Sequence, residues 1–266
     1  MKYVAEISYD GSQYFGWQIQ PELPTIQQAV ENVLTLINGS PVKAAGAGRT
    51  DAGVHARAQT CSFELSKEWE LRKLALAMNA NLPDGISVIR TARVSDNFHA
   101  RFSAVAREYR YFIWNNPTIS PLIKDKTHWI KKTDLDWKTA AIAAKQLIGV
   151  HDFKNFCCHP IEIQDTTREI KHIKLIKKGS LITLGIKADG FLHNMVRIIT
   201  GCLIKIASNN TQNTGTRASE SEKIRILWIK KLLDPSTQRE AYTPAPPHGL
   251  YLWKTEYKDK IDWWPK

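Results

Sequence analysis

One segment in the first quarter of the chain gathers side chains able to do chemistry on a backbone free to bend: Gly46-Ala47-Gly48-Arg49-Thr50-Asp51-Ala52-Gly53-Val54-His55-Ala56. Three glycines within eight residues let the main chain turn tightly and approach a ligand closely. A dinucleotide-binding loop would read G-x-G-x-x-G, and here Asp51 occupies the third glycine position, setting a carboxylate against the pyrophosphate. A phosphate-binding P-loop is excluded as well, because no Lys-Ser or Lys-Thr pair follows. What remains is a loop presenting Arg49 and Asp51. In an extended entry, residues i and i+2 share a face, so the guanidinium can lie beside the carboxylate. A nearby cation keeps an aspartate ionised, which suits a nucleophile or base rather than an acid. The same spacing suits an aspartate that closes an Asx-turn or caps a helix, and the residues alone leave both readings open.

Regular elements must hold such a loop. Lys2–Tyr9 alternates apolar and polar residues and reads as a strand ended by the turn signal Asp10-Gly11. Thr25 can cap a helix whose apolar positions Ile26, Val30, Val33, Leu34 and Ile37 recur at helical spacing until Asn38-Gly39-Ser40 stops it. Residues 42–47 and 59–65 read as strands flanking the glycine-rich turn, followed by a helix over 71–79 and a strand over 85–94.

The second half repeats the style. Residues 104–114 have strong period-2 character, which puts Arg107, Tyr109 and Tyr111 on one face and Glu108, Arg110 and Phe112 on the other. An Ala-rich helix is expected over 137–149, a hairpin over 170–177 and 180–188 through Lys178-Gly179, an apolar helix over 192–206 and a last strand over Leu250–Tyr257. Residues 208–222 are polar and read as a loop leading into a helix over 223–233. The Pro-rich stretch 243–248 argues against regular structure. The expectation is an α+β chain of two domains, 1–103 carrying the Asp51 loop and 104–266.

Composition bounds the function. Of 266 residues, 43% are hydrophobic, enough for a substantial core. No apolar run approaches the ~20 residues of a membrane span, and the opening residues read as a strand with Glu6 rather than as a leader peptide. A cytoplasmic protein with no membrane partner is expected. Four cysteines, two of them the adjacent Cys157 and Cys158, fit reduced thiols better than a disulfide framework. Cys157-Cys158-His159 lacks the second cluster that a tetrahedral metal set needs, so no metal is expected. Thirty-seven Lys and Arg against 26 Asp and Glu give a net charge of +11, which attracts polyanions by counterion release. Nine Trp, eight Tyr and eight Phe add stacking surfaces.

The segment Gly48-Arg49-Thr50-Asp51-Ala52-Gly53-Val54-His55-Ala56 resembles the signature of the TruA family of tRNA pseudouridine synthases. The resemblance is carried by an ordered series of blocks. Tyr9-Asp10-Gly11-Ser12-Gln13-Tyr14-Phe15-Gly16-Trp17-Gln18 precedes the signature; Phe98-His99-Ala100-Arg101-Phe102-Ser103-Ala104 and Tyr109-Arg110-Tyr111 follow it. Further on lie His151-Asp152-Phe153, Thr167-Arg168-Glu169-Ile170, Gly190-Phe191-Leu192-His193-Asn194-Met195-Val196-Arg197 and Gly249-Leu250-Tyr251-Leu252. Together they span almost the whole chain.

The resemblance implies an isomerase that converts uridine to pseudouridine at positions 38, 39 and 40 of the tRNA anticodon stem-loop. The C1′–N1 bond breaks and the ring rejoins through C5, with no redox change and hence no cofactor. Asp51 matches the catalytic aspartate, able to act as nucleophile or base and be regenerated. Tyr109 matches the tyrosine stacked on the target base, Arg197 the arginine that pairs with that aspartate, and Arg49 the arginine that helps hold the base out of the stack. Leu250 is expected to pack near the base. The residues themselves also allow ordinary readings: strand aromatics for Tyr109 and Tyr111, a snorkelling helix-edge side chain for Arg197, a phosphate contact for Arg49, plain core packing for Leu250. His55 is read as a turn-stabilising residue without a proton-transfer role. The resemblance further implies two domains, each an antiparallel sheet covered by helices with the catalytic cleft between them, and a homodimer that binds tRNA. The polar loop 208–222 and the approach to Gly249 through His248 depart from the family pattern and bear on tRNA selectivity. Two other classes remain to be distinguished: a non-catalytic basic RNA-binding protein, and a nucleoside hydrolase, which would want a second carboxylate as general acid.

Overall fold

The structure, a computed structural model, describes residues 1–158, 164–208, 218–237 and 243–265. It divides into two compact units, Met1–Arg107 with Tyr251–Lys266, and Glu108–Leu250.

In the first unit the order is β1 (Lys2–Tyr9), α1 (Ile26–Asn38), β2 (Ala45–Gly46), β3 (His55–Glu64), α2 (Leu71–Asn81) and β4 (Ile86–Arg93). β1 lies between β4 and β3, antiparallel to both; its register with β3 runs from Lys2↔Glu64 to Tyr9↔Ala56. The Thr25 side chain accepts from the Gln28 amide, and α1 buries Ile26, Val30, Val33 and Leu34, a stripe at helical period. Glu31 lies on the buried side too, yet it is satisfied. Its carboxylate accepts from the Ala44 amide, from Gln27 Nε2 and from Lys43 Nζ, which ties α1 to the chain entering β2. α2 adds Leu74 and Met78 to the core of Tyr3, Ile7 and Phe63.

Two strands carry residues of both units, because the division falls after Arg107 and after Leu250. β5 spans Ala104–Asn115; the last described strand, β10 (Leu250–Tyr257), comes after the other strands and α-helices of the second unit. Those are β6 (His128–Ile130), α3 (Trp137–Lys145), β7 (Gly149–Asp152), β8 (Thr167–Lys178), β9 (Leu181–Ala188), α4 (Met195–Ser208) and α5 (Ala218–Lys231). The strand order in the second unit is β5-β9-β8-β7 with β6 beside β5. Ile173, Ile182, Leu184 and Ile186 of the sheet and Ile198, Ile199, Cys202 and Leu203 of α4 form its core. Asp136 caps α3 through the Thr139 amide and pairs with Arg225 of α5 at 2.8 Å. Burial pushes its carboxyl up, but the bonds from Thr139 and Arg225 outweigh this and hold it below its ordinary value.

The α+β class stands, and the strands β1 and β10 have the bounds expected of them. The pairing is mixed rather than wholly antiparallel. β10 runs parallel to β3, with Tyr251↔His55 and Leu252↔Ala56 in register, and β6 runs parallel to β5. A strand reached through a long excursion has no hairpin to force it antiparallel, and β10 returns to the first unit only at Tyr251. The tail 251–266, read from sequence with the second half, thus keeps company with the first unit.

Boundaries shifted where local patterns compete. β3 begins at His55, within the last two residues of the signature, rather than at 59. α4 begins at Met195 rather than 192, because Asn194 adopts φ 60, which α-helix does not accommodate. The helix expected over 137–149 ends at Lys145, and 149–152 form the short strand β7 instead. α5 starts five residues before the expected 223. Within the Pro-rich stretch, Pro247–Gly249 closes one 3-10 turn. Residues 209–217 of the expected polar loop, and His159, lie outside the described residues. Among the described residues all four cysteines are free thiols, no cluster of three His, Cys, Asp or Glu could hold a metal ion, and no helix is long and apolar enough to cross a membrane.

Candidate active site

Asp51 stands on a loop whose backbone is clamped from both sides by the block 9–17. The Thr50 carbonyl, one peptide before Asp51, accepts from the Trp17 amide at 3.0 Å. The Thr50 hydroxyl meets Tyr9 Oη at 2.8 Å in a buried contact. Beyond Asp51, the Gly53 amide donates to the Tyr14 carbonyl at 3.2 Å and the Val54 amide to the Asp51 carbonyl at 3.1 Å, closing the turn. Gly16 makes the clamp possible. Its φ is +87°, and a Cβ there would lie 2.4 Å from the Thr50 carbonyl oxygen, so only glycine fits against this peptide. The entry to the loop is held too: Gln59 Nε2 donates to the Gly48 carbonyl at 2.7 Å, and the Arg107 guanidinium donates twice to the Ala47 carbonyl.

His55, at the far end, is 1% exposed. Its Nδ1 accepts from the Gly11 amide at 3.1 Å and its ring stacks on Tyr251 at 4.6 Å between centroids. These contacts make it a fixture of the turn, the structural role read for it. Burial first, then the charge of Asp10, pushes the Tyr251 phenol up to about 12, so it stays neutral beside that imidazole. Along the same loop, Asp51 is half-buried and Arg49 exposed.

Tyr109, Arg197 and Leu250 belong to the second unit. Tyr109 and Tyr111 are buried on one face of β5, and the Tyr109 ring is met edge-on by Phe191 at 5.1 Å and 86°. This is the T-shaped geometry that aromatic quadrupoles favour. Arg197 is held along the guanidinium: Nε donates to the Ala245 carbonyl at 2.8 Å and Nη1 to Asn194 Oδ1. The Ala245 amide returns a bond to the Arg197 carbonyl at 3.0 Å. Tyr111 Oη donates to the Pro246 carbonyl at 2.8 Å, and a Cβ on Gly249 would collide with the Tyr111 ring at 2.7 Å. The Pro-rich stretch is therefore a strap that ties β5 to α4 and delivers Leu250, itself 5% exposed. Beneath it, burial first and the neighbouring His248 second hold the His128 imidazole down at about 4; the rings lie 6.3 Å apart.

Sequence reading singled out Asp51, Arg49, Tyr109, Arg197 and Leu250 but assigned nothing to the residues that mount them. Tyr9, Gly16, Trp17 and Thr50 around the loop, and Phe191, Asn194 and Ala245 in the second unit, were legible only as members of blocks. The block 9–18 and the signature are built against each other in this chain, through Tyr9, Tyr14 and Trp17 on Thr50 and Gly53.

Comparison with known proteins identifies the family. The family model described as tRNA pseudouridine synthase matches residues 5–103 and 143–258. The chain is 37% identical over 259 residues to tRNA pseudouridine synthase A of Pseudoalteromonas atlantica, covering 97% of this chain and 93% of that one. It is 36% identical to the protein of that name from Methylacidiphilum infernorum, covering 96% and 95%, and 37% identical to that from Pseudomonas aeruginosa, covering 96% and 85%. A match that takes in the Asp51 loop and the strap alike, over nearly the full length of both partners, makes this chain a member of the tRNA pseudouridine synthase family.

Proposed function

We propose that the chain isomerises uridines 38, 39 and 40 of the tRNA anticodon stem-loop, with Asp51 as the catalytic carboxylate and Tyr109, Arg197, Arg49 and Leu250 binding the target nucleotide. Membership of the family makes it an isomerase that turns uridine in tRNA into pseudouridine; the positions and the residue roles are the reading added here. The observation that carries the roles is the mounting of Asp51. The main chain on both sides of it is fixed by Tyr9, Tyr14, Gly16 and Trp17 while its side chain stays half-exposed. A turn aspartate of purely structural purpose does not require its backbone to be clamped by a separate block, whereas a reacting carboxylate gains from being held in place.

The chemistry follows from that mounting. The C1′–N1 bond breaks, the ring turns, C5 joins C1′, the C5 hydrogen leaves as a proton and N1 takes one up. No electrons are gained or lost. One carboxylate acting as nucleophile or base is regenerated at the end. Extracting the base from its stack costs a few kcal/mol, which stacking on Tyr109 and backbone contacts from Lys and Arg can offset. Three adjacent target positions suit recognition by shape and phosphate placement rather than by base identity, and the net charge of +11 supports it. Cytoplasmic location and a homodimer that engages one tRNA complete the proposal.

The test is release of tritium from C5-tritiated uridine in unmodified tRNA, comparing the parent with Asp51→Ala. Release by the parent and none by a folded, tRNA-binding Asp51→Ala supports the assignment. Equal release from both removes Asp51 from the mechanism. Tight tRNA binding with no release from either protein favours a non-catalytic RNA-binding role.

A further inference from the structure

The proposed chemistry leaves the block 98–104 without a role, and this block carries an aromatic ring mounted in the open. Phe102 is 77% exposed. Its turn is nevertheless rigid. The Ser103 amide donates to the His99 carbonyl at 2.9 Å, and the His99 amide to Ser103 Oγ at 3.0 Å. From outside the turn, the Ala100 amide donates to the buried Ser62 hydroxyl at 3.1 Å, Tyr257 Oη to the Ala100 carbonyl at 2.9 Å, and Arg107 to the Arg101 carbonyl. None of these bonds involves the Phe102 side chain, so the ring contributes little to the fold that displays it. Single exposed apolar residues are common; one set on a turn anchored at five points is a different object.

Its neighbours suit a nucleobase. The His99 ring lies against Phe102 with centroids 4.4 Å apart, and His99 Nδ1 accepts from the Arg101 and Phe102 amides at 3.1 and 3.4 Å, which fixes the imidazole plane. Burial first, then the charges of Lys2 and Arg101, keeps that imidazole below its ordinary value, so it remains a neutral flat partner. The Arg101 guanidinium is 5.7 Å from the Phe102 ring centre and exposed, within reach of the phosphate of any nucleotide stacked there. An aromatic face with an adjacent cation is the minimal unit for holding an unpaired base. We infer that Phe102, backed by His99 and flanked by Arg101, is a stacking site for an unpaired base of the tRNA substrate. The inference rests on the reading of the chain as a tRNA-acting enzyme.

The test uses the full chain and unmodified tRNA, with Kd from filter binding and kcat and KM from tritium release. Phe102→Ala is expected to weaken binding and raise KM by roughly 5- to 100-fold, the loss of one stacked base. Phe102→Tyr and Phe102→Trp keep the parent values within about twofold, because any aromatic face serves. An unchanged Kd in Phe102→Ala overturns the site, as does an equal loss in the Tyr and Trp variants. So does a change in molar mass by sedimentation without a change in tRNA affinity, which would give the ring to a contact between copies. The catalytic reading fails separately: a parent that releases no tritium, yet binds tRNA in a Phe102-dependent way, loses the reaction and keeps the site.

Discussion

The hydroxyls of Tyr9 and Thr50 meet at 2.8 Å inside the first unit, joining the end of β1 to the peptide that precedes Asp51. With the Trp17 amide on the Thr50 carbonyl, this bond fixes where the Asp51 backbone begins. Either single substitution, Tyr9→Phe or Thr50→Val, removes this buried hydrogen bond at a cost of about 0.5–1.5 kcal/mol. Both should lower kcat for tritium release more than they change Kd for tRNA. The double variant should be milder in stability than the sum, because its two remaining groups are apolar; strict additivity in chemical denaturation would show that the two hydroxyls do not stabilise each other.

Gly16→Ala places a Cβ 2.4 Å from the Thr50 carbonyl oxygen on a backbone at φ +87°. It should destabilise the chain by roughly 1–3 kcal/mol and reduce kcat sharply by displacing the Asp51 peptide. A Gly16→Ala protein with parental urea midpoint and parental kcat would remove Gly16 from the support of the loop.

Phe191→Leu keeps an apolar side chain but loses the edge-on contact with Tyr109, worth about 0.5–1.5 kcal/mol. Tyr109 then has more freedom to tilt. We expect KM for tRNA to rise several-fold on the scale of that energy, with thermal stability changed little. If Phe191→Leu is kinetically silent, Tyr109 needs no partner to hold its plane.

His128 gives the chain an acid-sensitive point beneath the strap. Its imidazole is held at about 4 in the fold, against about 6.5 when unfolded, and burial lowers His248 as well. Below the unfolded value the unfolded chain takes up the proton first, so stability is full above about pH 6.5 and falls as pH drops toward 4. Asp125, whose charge favours protonated His248, partly opposes that loss. His128→Phe should flatten the decline of Tm across this window. An equal decline in parent and variant would place the acid sensitivity elsewhere.

Much of this molecule was legible in its sequence. Alternation over Lys2–Tyr9 and Leu250–Tyr257 and the helical stripe from Ile26 to Leu34 placed elements within a residue or two, because strand pleat and helical turn repeat over distances shorter than the elements themselves. The Asp51 loop stood out by its glycines and charges, and the ordered blocks named the family. The short strands His128–Ile130 and Gly149–Asp152 escaped notice, having too few residues to show a period.

Residue types and spacing thus determined the elements, the carboxylate loop and the family. Tertiary structure decided what grips that loop. Gly16 against Thr50 and Tyr9 on Thr50 are contacts between segments 34 and 41 residues apart, and Tyr111 reaches Pro246 across 135. Local propensity carries no record of such partners, and the parallel return of β10 onto β3 is likewise set by where the intervening chain delivers it. A pattern of a few residues can say that a segment buries one face, but only close packing of the whole chain decides against what.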